Sequence, residues 1–223
     1  MRTSENTQPK PTRTGNANGR HGIPGHDCIA TILGTNTDLL TGSTKSEHSN
    51  DWQDEYYNVI QYFAPAWASG HNVCAYASDK CTAACLHTAG RASFDAKIPA
   101  ARLRRTKLFY ACKPCYMARL DYEIAREYRK ANRLGRRLAL RLNGTSDIPW
   151  EHVGRSLMAK WSEVQFYDYT KYPITIRPTH KLPANYDLTY SYSENSTDAM
   201  IEDNLAAGRN VAVVFGRMKR TAN

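Results

Sequence analysis

No run in this sequence approaches the roughly 18 apolar residues that a membrane-spanning helix needs. The first twenty residues, "MRTSENTQPKPTRTGNANGR", also lack the apolar h-region of a secretory leader. These two absences argue against a membrane protein and a secreted one, so the expected location is the cytoplasm, of a bacterial host if the chain is phage-encoded. Acidic side chains are in short supply: 21 Asp and Glu face 30 Lys and Arg, a net charge of +9. Such a surplus turns the partner question toward polyanions, with nucleic acid first. With no sign of export, the six cysteines are expected to be thiols or metal ligands, since a reducing cytosol does not sustain a disulfide framework.

What is present reads as one α/β domain. Residues 1–20 have the composition of a disordered tail, too poor in apolar side chains to offset the entropy of ordering. Residues 21–56 stay rich in Gly, Thr, Ser and Asn and read as an irregular extension or insertion. A single domain is expected over 57–223. It opens with the β-rich run "NVIQYFAPA", followed at once by "NVCAYASDKCTAACLHTAGR". A basic helical region follows from about Lys97 to Leu134. Pro114 should split it, because a mid-helix proline loses a hydrogen bond and clashes with the preceding turn. In its second half Met117, Leu120, Ile124, Tyr128 and Ala131 recur at helical spacing and predict one buried face.

Beyond Gly135, "RRLALRLNGTSDIP" alternates, placing Leu138, Leu140 and Leu142 on one side and Ala139, Arg141 and Asn143 on the other. A short helix with Trp150, Val153, Leu157 and Trp161 on one side should start at Pro149. The strands "EVQFYDYTKYP" and "NYDLTYSYSEN" come next, joined by a short connection. A helix from about Ser196 to Gly208 and a buried strand, "NVAVVFG", complete the order. Strands alternating with helices predict right-handed crossovers and a mainly parallel sheet. Five strands are too few to close an eight-stranded barrel, so the expected fold is a partial (β/α) barrel.

Ligands in such folds sit where the loops leave the carboxyl ends of the strands. Polar residues gather there in this sequence: Arg141, Asn143, Thr145, Ser146 and Asp147 after one strand, Asp168, Thr170 and Lys171 after the next, and Thr189, Ser191, Ser193 and Glu194 on the third. They predict a ligand cavity, against the plainer alternative of solvated loops. Cys74, Cys81 and Cys85, spaced C-x6-C-x3-C, follow the first strand directly. Three thiolates can hold a [4Fe–4S] cluster while leaving one iron to an outside ligand. Zinc, or no metal at all with the cysteines as small buried hydrophobes, are the alternatives.

A strand running straight into a three-cysteine loop of a partial (β/α) barrel resembles the radical S-adenosylmethionine superfamily, whose usual spacing is C-x3-C-x2-C. The blocks "TGNANG", "APAWASGHNVCAYASDKCTAACLHTAGR", "LRLNGTSDIPWE", "FYDYTKYP" and "LPANYDLTYSYSEN" are similar to recurrent blocks of a group of phage and prophage proteins, over most of the chain from about Val59. In those relatives residues 20–50 have no clear counterpart, and the chain is expected to run on past the equivalent of Asn223. The superfamily resemblance implies a cluster on Cys74, Cys81 and Cys85 with S-adenosylmethionine as cofactor. Arg141, Asn143, Thr145, Asp147, Asp168, Thr170, Ser191, Ser193 and Glu194 would then meet its amine, carboxylate and ribose hydroxyls. The implied activity is radical hydrogen abstraction from a substrate of unknown identity, for which nucleic acid is the first guess.

Two further features bear on function. "CKPC", Cys112 to Cys115, has the spacing of a thiol-redox pair or of a second metal half-site completed by His21, His26 or Cys28. The basic residues between 97 and 137 suggest phosphate-backbone contact, though a run of charge is more often a solvated face. The functional alternatives are therefore an iron–sulfur enzyme, a zinc-stabilised accessory protein that binds nucleic acid or a host factor, and a thiol-redox protein.

Overall fold

The structure, a computed structural model, describes residues 26–34, 37–42 and 55–215. The tail expected over 1–20 lies outside them, as do His21 and the side chains of His26 and Cys28. Six strands form one sheet in chain order: β1 (Leu40–Gly42), β2 (Tyr56–Gln61), β3 (Arg137–Arg141), β4 (Gln165–Thr170), β5 (Tyr186–Ser191) and β6 (Val211–Ala212). β1 is antiparallel to β2, and every later pair is parallel. The helices are α1 (His26–Leu33), α2 (Ala66–Ser69), α3 (Asp79–Ala83), α4 (Lys97–Ala111), α5 (Lys113–Arg133), α6 (Trp150–Val153), α7 (Arg155–Lys160) and α8 (Asp198–Ala206).

Each parallel strand is followed by its own spatial neighbour. When successive crossovers share one hand and step in one direction, their helices return over the same face of the sheet. The result is the mainly parallel α/β sheet anticipated from the sequence, with one face packed against α4 and α5. Leu138, Leu140, Leu142, Phe166 and Leu188 of the packed face are buried against Leu108, Phe109, Tyr116, Leu120 and Ile124 of α4 and α5. Burying each such side chain contributes about 1.5–3 kcal/mol. On the opposite face the alternate residues of β2 to β5 include Asn58, Ala139, Arg141, Tyr167, Tyr169 and Ser191.

Local chemistry explains the boundaries. α4 ends at Ala111, and α5 starts afresh with Pro114 in its first turn, where the missing N–H costs nothing. Leu120, Ile124 and Ala131 are buried, and Met117 and Tyr128 pack beside them, as the spacing predicted. Gly135, at φ 69°, ends the helix in the left-handed region that glycine enters without strain. Thr197 caps α8 by accepting the Met200 N–H. The helix expected after Pro149 is broken in two at Gly154, where a Cβ would come within 3.0 Å of the Trp150 ring.

Three expectations need correction. The segment expected to be irregular includes α1 and the edge strand β1, with Ile29, Leu33, Leu39 and Leu40 buried in the core. Glu123 of α5 organises it by accepting the Leu39 N–H at 2.9 Å and the Leu40 N–H at 2.9 Å. The strand expected to be buried at "NVAVVFG" pairs over Val211 and Ala212 only. Val214 and Phe215 beyond it are 97% and 86% exposed, since β6 is the last strand of an open sheet. The basic helical region is also not one solvated face. Arg102 and Arg105 are buried donors to the carbonyls of His87 and Asp38, and Arg119 and Arg126 both grip the Asp38 carboxylate. Lys97, Lys107, Lys113, Arg129 and Arg133 remain exposed. No described helix is long and apolar enough to cross a membrane.

Candidate functional site

The carboxyl ends of β3, β4 and β5 and the chain that follows β2 converge on a cavity of about 240 Å³. Cys74, Cys81 and Cys85 all line it, together with Arg141, Asn143, Gly144, Thr145, Asp147, Tyr169, Thr170, Lys171 and Ser191. The tertiary structure thus brings together the three sulfurs and six of the nine polar residues singled out in the sequence. Asp168, Ser193 and Glu194 stand outside the lining.

The segment holding the cysteines is pinned at several points. The Asp147 N–H reaches the Val73 carbonyl at 2.8 Å, and the Tyr110 hydroxyl donates to the Asn72 carbonyl at 3.2 Å. The rings of Tyr110 and His71 stack at 4.0 Å. The Cys74 N–H is taken by Asn72 Oδ1, and its thiol faces the Thr145 carbonyl at 3.8 Å. Ser78 caps α3 by accepting the Cys81 N–H. Glu194, from the loop after β5, then accepts from both the Ser78 hydroxyl at 2.9 Å and the Lys80 N–H at 2.8 Å. Glu194 therefore clamps the cysteine segment to the far side of the sheet rather than facing the cavity.

Several of the polar residues are spent on architecture. Asn143 Oδ1 accepts from Ser146 Oγ, the Ile148 N–H and Trp150 Nε1, while its Nδ2 donates to the Ile148 carbonyl. Asp168 lies beneath the cavity, on the packed side of β4. It accepts from the Asn143 N–H at 2.7 Å and the Tyr186 hydroxyl at 3.0 Å. Burial pushes its carboxyl up to about 7 against the pull of those donors. Asp147 accepts from the Lys171 N–H, from Thr170 and, at 2.7 Å, from Arg177. Arg177, 2% exposed, also grips both oxygens of Glu151 at 2.7 Å.

Sequence reasoning passed over Arg177 and Glu151, which lie in a connection and a short helix. No local pattern marks a buried arginine, because its carboxylate partners come from other elements. It also passed over Gly144, whose signal is steric. A Cβ there would lie 2.5 Å from the Gln61 carbonyl oxygen and 2.7 Å from Ile60 and Tyr62 side-chain carbons.

The groups left to meet a ligand are fewer and more basic. Arg141 lays its guanidinium over the Tyr169 ring at 4.7 Å, and its Nε is buried with no hydrogen-bond partner. Lys171 Nζ reaches the Ser191 hydroxyl at 3.3 Å. The Cys74 thiol is pushed up to about 12, by burial first and then by Asp147, Cys85 and Cys81. Burial likewise raises Cys81, whose thiol Lys171 pulls the other way.

Among the described residues no three His, Cys, Asp or Glu side chains are arranged to hold a single metal ion. What the cavity offers is three free thiols with no fourth cysteine and no histidine in its lining. Cys112 and Cys115, expected as thiols, are joined by a disulfide in the first turn of α5 and take no part in the cavity.

No curated protein and no solved structure matches the chain. The family model described as gene product 88 matches residues 31–223, from within α1 through all six strands, the cysteine segment and the cavity. The chain belongs to the gene product 88 family, in keeping with the phage-type blocks read in its sequence.

Proposed function

We propose that the chain is an iron–sulfur protein of radical S-adenosylmethionine type, with Cys74, Cys81 and Cys85 as the ligands of a [4Fe–4S] cluster. One observation carries this reading: three free thiols share a cavity at the carboxyl ends of parallel strands, with no fourth cysteine or histidine in its lining. Bound there, a cluster with one open iron would supply the electron that cleaves S-adenosylmethionine. The chain's own residues would hold and orient the cofactor. Lys171 and Arg141, both in the lining, offer positive charge to a carboxylate. Ser191 stands ready for a hydroxyl or amine. Asp147, Asn143 and Thr170 hold this wall in place. The exposed cations of α4 and α5 favour a substrate derived from nucleic acid, whose binding would weaken steeply with salt.

The test is oxygen-free purification and reconstitution with iron and sulfide. A brown chain with about four irons and broad absorption near roughly 400 nm is expected. Serine at any one of the three positions should abolish the colour, and S-adenosylmethionine should perturb the spectrum of the loaded protein. A colourless chain with one zinc, or a colour that survives all three substitutions, refutes the reading.

A further inference from the structure

The Cys112–Cys115 pair has a chemistry of its own. Cys112 sits at the joint of two helices: its N–H closes α4 on the Leu108 carbonyl, and its carbonyl accepts the Tyr116 N–H of α5, both at 2.9 Å. Those hydrogen bonds already fix the joint. The disulfide closes only a short loop, which restrains the unfolded chain less than a long one. Its position suits exchange better than stapling. Cys115 packs against the core, Cys112 is half-buried outside that cluster, and Lys113 and Pro114 between them are exposed. Cys112 Sγ already accepts the Cys115 N–H at 3.3 Å, at the positive end of a 21-residue helix. Both features stabilise a thiolate on Cys112. The other described cysteines are free thiols.

We propose that Cys112 and Cys115 form a reversible thiol–disulfide exchange centre whose partner is a dithiol or disulfide on another molecule. In the reducing direction, a thiolate of a dithiol reductant attacks Sγ of Cys112. The Cys112–Cys115 bond breaks, and Cys115 leaves as a thiolate and takes up a proton. The reductant's second thiolate then attacks the mixed disulfide and releases Cys112. Two electrons and two protons reach the pair, and the reductant departs as its own disulfide. The reverse sequence passes the same two electrons to a disulfide substrate.

The full chain, equilibrated without oxygen in dithiothreitol redox buffers, is trapped with N-ethylmaleimide and peptide-mapped. Cys112 and Cys115 are expected to gain label together in one transition, with the same midpoint from either side and the circular dichroism of the folded chain retained. In a Cys115→Ser variant, Cys112 should react with iodoacetamide at pH 7 at least about tenfold faster than Cys115 does in Cys112→Ser. Labelling only after unfolding, separate transitions for the two cysteines, or equal alkylation rates overturn the proposal. The wild-type titration decides alone if either variant fails to fold.

Discussion

Replacing Arg177 with methionine tests how the floor of the cavity is held. The side chains of Arg177, Glu151 and Asp147 are 1%, 1% and 10% exposed, and the arginine meets both carboxylates at 2.7 Å. Methionine fills much of the volume and removes the charge, leaving two carboxylates facing each other without a cation. Breaking a buried pair on one side costs about 3–5 kcal/mol, a large part of the ~5–15 kcal/mol that holds a typical domain together. At a urea dependence near ~2–3 kcal/mol per molar, the unfolding midpoint should fall by about 1–2 M. The loss also has a sign in pH. Asp147 is already raised by burial, with Arg177 the foremost group lowering it, so removing Arg177 raises it further. A folded carboxyl that binds its proton more tightly than the unfolded one loses stability as pH rises through the carboxylate range. The defect should therefore be smaller at pH 4 than at pH 7, and adding Glu151→Gln should restore part of it. A loss under ~1 kcal/mol, or one that is the same at both pH values, refutes the assignment of Arg177 as the counter-charge.

Four other outcomes are expected. Gly144→Ala should cost about 1–3 kcal/mol or more in urea unfolding, because the new methyl meets backbone at 2.5 Å; an unchanged midpoint contradicts the packing there. Asp168, at about 7, carries a stability term that is complete below its unfolded value near ~4 and lost as pH rises to 7. Asp168→Asn should flatten that fall, by at most about 4 kcal/mol, and an unaltered pH slope counts against it. In the metal-free protein at pH 8, iodoacetamide should reach exposed Cys81 well before Cys74, and equal rates would deny the burial of Cys74. Glu194→Ala should free the cysteine segment, seen as faster amide exchange at Lys80 and Cys81; unchanged protection there would mean that Glu194 is not the clamp.

The cavity was largely legible in the sequence, for a reason rooted in strand geometry. Side chains alternate along β3 and β5, so Leu138, Leu140 and Leu142 facing the helices leave Arg141 on the other side, and Ser191 follows from Leu188 and Tyr190. Parallel strands joined in series bring their carboxyl ends together, which puts Cys74, Cys81, Cys85, Thr145 and Asp147 around one space. The same alternation sends Asp168 to the packed side with Phe166, so it supports the cavity from beneath instead of lining it. Glu194 was read for its place at the rim, yet its two acceptor oxygens found nearer donors in Ser78 and Lys80.

Periodicity and spacing, both local properties, determined by themselves the mainly parallel α/β layout, the buried stripe of α5, its break before Pro114 and the grouping of three cysteines behind the first strand of the domain. Only the tertiary structure decided the fate of the charges. Whether an arginine is solvated or buried depends on carboxylates and carbonyls that folding delivers from far away in the chain, as with Arg177 and Glu151 or Arg119 and Asp38. The helix and edge strand ahead of Tyr56 were hidden for the same reason: Ile29 and Leu33 pack into a core built by later elements, and the edge strand is held by Glu123 from more than eighty residues away.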